Sequence, residues 1–161
     1  MWIRYAYINE LDKLISYVGD RKEITSYDLE QLTSSQTINQ IFIMLDAIAR
    51  KQRDKVLTLY YDLIELKESP FGILALLARQ CNQLLQVKNL DDLGKDNGTI
   101  SKEIKIPAFA VGKLKDQSKM FSIEVLLSMV EACAKTDELI KTGKINDRVG
   151  VELILIQFSQ N

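Results

Sequence analysis

The 161-residue chain has no histidine, so it lacks both the commonest general base and the commonest metal ligand. Any chemistry must come from lysines, carboxylates, two thiols and a tyrosine pair. Ser101–Phe121 sets five lysines (Lys102, Lys105, Lys113, Lys115, Lys119) against two acids (Glu103, Asp116), a local surplus of three positive charges. Phosphate contacts use this residue type. Base reading uses Arg, Asn or Gln near the start of a recognition helix. Here the one glutamine, Gln117, falls late, and the start, Ala108-Phe109-Ala110-Val111, suits burial. Two readings follow for residues 101–119. One is a helix-turn-helix DNA-binding regulator; the other, which the residue types favour, is a packing device that turns the chain inside a helical domain.

The remaining reactive groups point to structure. Asp91-Asp92 and Asp137-Glu138 are adjacent in sequence. Neighbouring helix positions point in different directions, so these pairs read as solvated surface and not as an acid/base couple. Cys81 and Cys133 lie inside apolar helical patterns and read as small buried hydrophobes in a reducing compartment. Two thiols without a histidine make a poor metal site. Tyr60-Tyr61 reads as one core ring and one boundary ring. The chain contains no G-x-x-x-x-G-K-[ST] phosphate loop and no G-x-S-x-G elbow. No catalytic, cofactor-binding or metal-ligating residue is assigned, and no cofactor is expected.

The elements that must position these groups are helices. Gln36–Gln52 places Ile38, Ile41, Phe42, Leu45, Ile48 and Ala49 on one face. Asp54–Lys67 follows a very short turn, so the two form an antiparallel hairpin. Ser69-Pro70 is a cap followed by proline at the first helical position, and the helix runs to about Lys88. Its apolar band is wide enough to require neighbours on two sides. Asn89–Thr99 reads as loop. Ser101 caps a short helix, Lys102–Lys105, and Pro107 opens a second, Ala108–Ser118. Ser122 caps Ile123–Lys141, Gly143 ends it, and Asn146 caps Asp147–Phe158. That last helix is apolar almost all round. It reads either as the enclosed centre of the core or as part of a surface covered by a neighbouring subunit. Upstream, Ile8–Val18 has helical spacing with Gly19 at its end, Thr25 with Asp28 resembles a capping box, and Thr33-Ser34-Ser35 reads as the linker.

Composition agrees with an all-α globular domain, a bundle of five to seven helices. Hydrophobic residues make up 47% of the chain, which excludes disorder, and the net charge of −1 gives no global pull toward nucleic acid or acidic membranes. Seven glycines and two prolines are few for a turn-rich β protein. No apolar run approaches the roughly 20 residues that span a bilayer, and Met1–Tyr7 carries no signal-peptide pattern. The chain starts inside an amphipathic pattern without a cap, the expectation for a piece cut from a longer protein with some of residues 1–7 not native to it.

The order S-x-E-I-x-I-P-x-F-x-V-x-K-L-x-x-Q-x-x-x-F-S over Ser101–Ser122 resembles the C-terminal domain of the delta subunit of the bacterial DNA polymerase III clamp loader. Ile8–Leu32 is similar to that family's exit from its second, lid domain, and Ile38–Leu66 and Ser69–Val87 fit the first helices of its third. The run KEIKIP before the corner is shorter than the family's usual run. The resemblance implies that residues 1–32 are the end of an AAA+-like lid domain. Residues 33–161 would be the helical collar that assembles the pentameric loader, which places the sliding clamp on DNA during replication. It implies sister subunits (delta prime and gamma or tau) as partners through the collar, and sliding-clamp contact only through an N-terminal domain absent from this chain. It further implies DNA contact that is weak or indirect, no membrane contact, no enzymatic activity in this piece, and a cytoplasmic location.

Overall fold

Helix termini in this chain are built largely by short polar side chains. In the computed structural model, which describes residues 26–160 and side chains from residue 36, Ser69 Oγ accepts from Gly72 N at 2.9 Å with Pro70 behind it. Ser122 Oγ accepts from Val125 N, and Asn146 Oδ1 from Val149 N. Each satisfies one of the donors that a helix start leaves free. The described helices are α1 (Ser26–Ala49), α2 (Arg53–Glu65), α3 (Pro70–Asp92), α4 (Asn97–Ile104), α5 (Ala108–Ser118), α6 (Ile123–Lys141) and α7 (Asp147–Ser159). The expected helix Ile8–Val18, the Thr25 cap and Met1–Tyr7 lie outside the described residues.

Three expectations change here. The stretch Thr33-Ser34-Ser35, read as a linker, is helical within α1. Serine and threonine cost only a few tenths of a kcal/mol each relative to alanine, and Ser26–Ala49 contains neither glycine nor proline to break it. The first short helix starts at Asn97 and not Lys102. Asp96 is its cap: Oδ1 accepts from Thr99 N at 2.8 Å and Oδ2 from Thr99 Oγ1 at 3.1 Å. Ser101, expected as the cap, donates to the Ile106 carbonyl at 2.6 Å and closes the corner before Pro107. The loop expected at Asn89–Thr99 shrinks to the few residues between α3 and α4.

The chain divides into two compact units, Met1–Gln40 and Ile41–Asn161. Within the second, α3 is the centre and packs against α4, α5, α6 and α7. Its buried residues include Ile73, Leu74, Leu77, Cys81, Leu84 and Val87, the wide band that requires neighbours on more than one side. Ile41, Met44, Leu45 and Ile48 of α1 and Val56, Tyr60 and Leu63 of α2 join the same core. Helix α7 packs on α2, α3 and α6. At Gly150 the approach to α6 is close: a Cβ there would lie 3.0 Å from Thr136 Cγ2. Gly143 ends α6 at φ +71°, in the left-handed region that glycine enters without penalty.

Candidate functional site

The Pro corner and its lysines are the strongest chemical signal in the sequence, and the fold divides them. Helix α5 turns Val111, Leu114, Gln117 and Ser118 inward. Gln117 is 2% exposed. Its Nε2 donates to the Phe42 carbonyl at 2.8 Å and to Asp46 Oδ1 at 3.2 Å, and its Oε1 accepts from Gln80 Nε2 at 3.3 Å. The glutamine judged too late in its helix to read a base is a buried clamp joining α1, α3 and α5. The helix-turn-helix reading loses its one reading residue by this placement. Sequence inspection missed the clamp because its partners lie 37, 71 and 75 residues away.

The lysines do not act as a group. Lys115 Nζ lies 2.9 Å from Asp91 Oδ1, which ties the end of α3 to α5. Lys88 Nζ donates to the Ser118 carbonyl at 3.4 Å. Lys113 Nζ sits 4.2 Å above the Phe42 ring, a cation–π contact. Lys102, Lys105 and Lys119 are exposed, as are Glu103 and Asp116. Lys105 ends α4 in the left-handed region at φ 56°. The hydrogen bond and charge of Lys115, with Lys119 and Lys88 nearby, hold the Asp91 carboxyl below its ordinary value.

Of the four acids read as solvated surface, Asp91 pairs with Lys115 as above and Asp137 lies 2.8 Å from Lys141 one helical turn on, while Asp92 and Glu138 are exposed. Cys81 and Cys133 are free and buried, and burial pushes their thiols up to about 12 and about 11. Thiols so raised stay protonated at neutral pH and hold little of the nucleophilic thiolate form. Tyr60 is wholly buried, with its hydroxyl donating to the Arg148 carbonyl at 2.9 Å. Tyr61 stands at the boundary, ring centroid 5.5 Å from Tyr60. Among the described residues, no three His, Cys, Asp or Glu side chains group to hold a metal, and no helix is long and apolar enough to cross a membrane.

An open groove of about 450 Å³ lies between the α1–α2 turn and the end of α7, lined by Lys51, Gln52, Arg53, Asp54, Lys55, Ser159 and Gln160. Lys51 Nζ donates to the Phe158 carbonyl at 3.1 Å across it and so caps the carbonyl end of α7. The groove brings together a basic turn and a helix terminus that are distant in sequence, which no local pattern signals.

The outer faces are barer than the sequence suggests. Phe109, expected inside at the start of α5, is 88% exposed. It lies two residues from the buried Val111, about 200° around the helix, so burying one exposes the other. Helix α7 buries Val151, Ile154 and Leu155 but leaves Val149 and Leu153, four residues apart on one face, at 47% and 53%. It is packed on one side and open on the other, between the two readings held for it.

The described residues thus form a helical scaffold in which Lys113, Lys115, Asp91 and Asp137 are engaged in packing contacts and several apolar side chains stand on outer faces. Residues 38–158 match the family described as DNA polymerase III delta subunit, C-terminal domain, and the chain belongs to that family. It is similar to DNA polymerase III subunit delta of Bacillus subtilis (strain 168), 34% identical over 148 residues that make up 92% of this chain and 43% of the relative. It is 25% identical to the probable DNA polymerase III subunit delta of Aquifex aeolicus over 82% of this chain and 38% of that one. The solved Bacillus subtilis DNA clamp loader delta protein superposes with a TM-score of 0.75 at 33% identity, covering 94% of this chain and 44% of that one. The chain thus spans less than half the length of the relatives it matches.

Proposed function

We propose that residues 33–161 are the collar of a clamp-loader delta subunit, an oligomerisation domain that holds this subunit among its sisters while the loader places the sliding clamp on DNA. Residues 1–32 are then the end of the lid domain that precedes it. The sister subunits are of the delta prime and gamma or tau type. The clamp is touched by a domain outside this chain, and the assembly works in the cytoplasm. On this reading the segment supplies neither catalysis nor a nucleotide site.

The observation that carries the proposal is the division of α7 into a packed inner face and an outer face that leaves Val149 and Leu153 exposed, in a chain of this family. Exposed apolar positions at helical spacing are what a protein partner covers.

The test is assembly. Removing residues 33–161 from the full-length subunit should abolish its co-elution with the sister subunits in size-exclusion chromatography. Co-elution that survives this deletion, with all partners folded, rejects the collar assignment. Saturable ATP binding to this chain at micromolar concentration rejects the absence of a nucleotide site.

A further inference from the structure

The segment Arg50-Lys51-Gln52-Arg53-Asp54-Lys55 holds four cations and one acid, the densest run of positive charge in the chain. All six residues are exposed. Most of the segment forms one wall of the groove between the α1–α2 turn and the end of α7; the other wall, Ser159 and Gln160, carries no acid. The cations are only partly balanced. Arg53 Nε lies 3.8 Å from Asp54 Oδ1, and Arg50 lies 4.0 Å from Asp46. Lys51 donates to the uncharged Phe158 carbonyl, and no ion pair among the described residues engages Lys55. Lys51, Arg53 and Lys55 thus border one groove against a single carboxylate, Asp54, whose side chain is 97% exposed.

We propose that this groove holds the phosphate backbone of DNA without reading its bases. The inference adds to the collar reading a contact that oligomerisation does not require. Interfaces with DNA are more polar and more positive than those between proteins, and phosphate contacts fix position without carrying sequence information. The groove has that character, because none of its lining residues is aliphatic or aromatic. The missing apolar side chains argue against a protein segment, since the buried centre of a protein interface is apolar. The missing rings argue against stacking on unpaired bases, which leaves the backbone. The Pro corner fits DNA less well. Of its five lysines, Lys113 is committed to the Phe42 ring and Lys115 to Asp91.

The experiment uses the full-length subunit and fluorescein-labelled primed DNA, with affinity read by anisotropy over a salt series. Binding should fall steeply with salt as counterions are released, and scrambling the DNA sequence should change nothing. Arg53→Glu with Lys55→Glu should weaken binding at least about tenfold at low salt and reduce the slope of log K against log salt by about one for each cation lost. Asp54→Asn removes the one repelling charge and should tighten binding several-fold. Lys102→Glu with Lys105→Glu, the same charge change at the Pro corner, should weaken it far less. All these positions are exposed, so thermal midpoints should stay near wild type. In the reconstituted loader, p-benzoylphenylalanine replacing Gln52 should cross-link to the DNA on irradiation. Equal weakening by the two charge-reversal pairs would mean general charge attraction and overturns the groove. So does a cross-link to a sister subunit alone, or wild-type affinity in the Arg53→Glu, Lys55→Glu variant. If the groove falls while the loader assembles, the collar stands; if assembly through residues 33–161 fails, the collar falls and the anisotropy of the subunit alone still decides the groove.

Discussion

Helix α7 buries Val151, Ile154 and Leu155 against three neighbours, whereas α5 buries Val111 and Leu114 together with the polar Gln117 and Ser118. The first is located by apolar shape and a close glycine approach to α6; the second is located in part by the hydrogen bonds of Gln117 to α1 and α3. Both keep large apolar groups outside: Val149 and Leu153 on α7, Phe109 on α5. Apolar content alone therefore misjudges burial in each. Helical phase decides it, and in α5 a buried amide fixes the phase further.

The comparison is sharpest in truncations of α7. Leu155→Ala removes a side chain with no exposure and should cost about 2–5 kcal/mol by urea denaturation. Leu153→Ala, two residues earlier and 53% exposed, should stay within about 0.5 kcal/mol. Equal losses at the two positions would mean that α7 is enclosed on all sides, and the comparison with α5 would break.

Gln117 comes next. Gln117→Leu keeps the volume but leaves the buried Gln80 amide without its acceptor, a cost of about 1–3 kcal/mol. Adding Gln80→Leu removes the stranded donor, so the double variant should be more stable than Gln117→Leu alone. That non-additivity separates a hydrogen-bonded clamp from a space-filling role. A double variant that loses the sum of the two single losses would show that the amides act independently.

Much of this architecture is legible in the chain because its signals are local. Ser69-Pro70, Ser122, Gly143 and Asn146 mark four helix boundaries within a residue or two of where they fall. The wide apolar band of Pro70–Asp92 announces a central helix. What escapes is non-local or atypical. Three helix ends place a lysine in the left-handed region where glycine is usual: Lys51, Lys67 and Lys105, at φ 59°, 66° and 56°. The stops themselves fall within two or three residues of where the spacing puts them, but the left-handed lysine that makes each one is not signalled. Asn97-Gly98 is a turn signal, yet Asp96 caps a helix through it. The phase that exposes Phe109 is present in the spacing of Val111 and Leu114, but four small or apolar residues in a row conceal it. The outer surface that the functional reading uses was the least legible part, because a side chain's exposure depends on which helix covers which face.

The smallest effect concerns the ion pair at the end of α5. Lys115 holds the Asp91 carboxyl below its ordinary value of 3.8, chiefly by its hydrogen bond, with its charge and those of Lys119 and Lys88 adding to this and partial burial opposing it. A carboxyl whose value is depressed by folding contributes stability above its unfolded value, and loses that contribution as pH falls through the folded one. Lys115→Met keeps the aliphatic stem and removes the charge. Its thermal midpoint should fall below wild type near neutral pH, and the gap should close as the pH is taken below about 3.8. It should also narrow in high salt, since both groups keep contact with solvent. The Leu155→Ala deficit has no titrating group in its cause and should persist across the same range. A Lys115→Met gap that is equally insensitive to acid would show that Lys115 acts through its stem, and α5 would then be held, like α7, by shape.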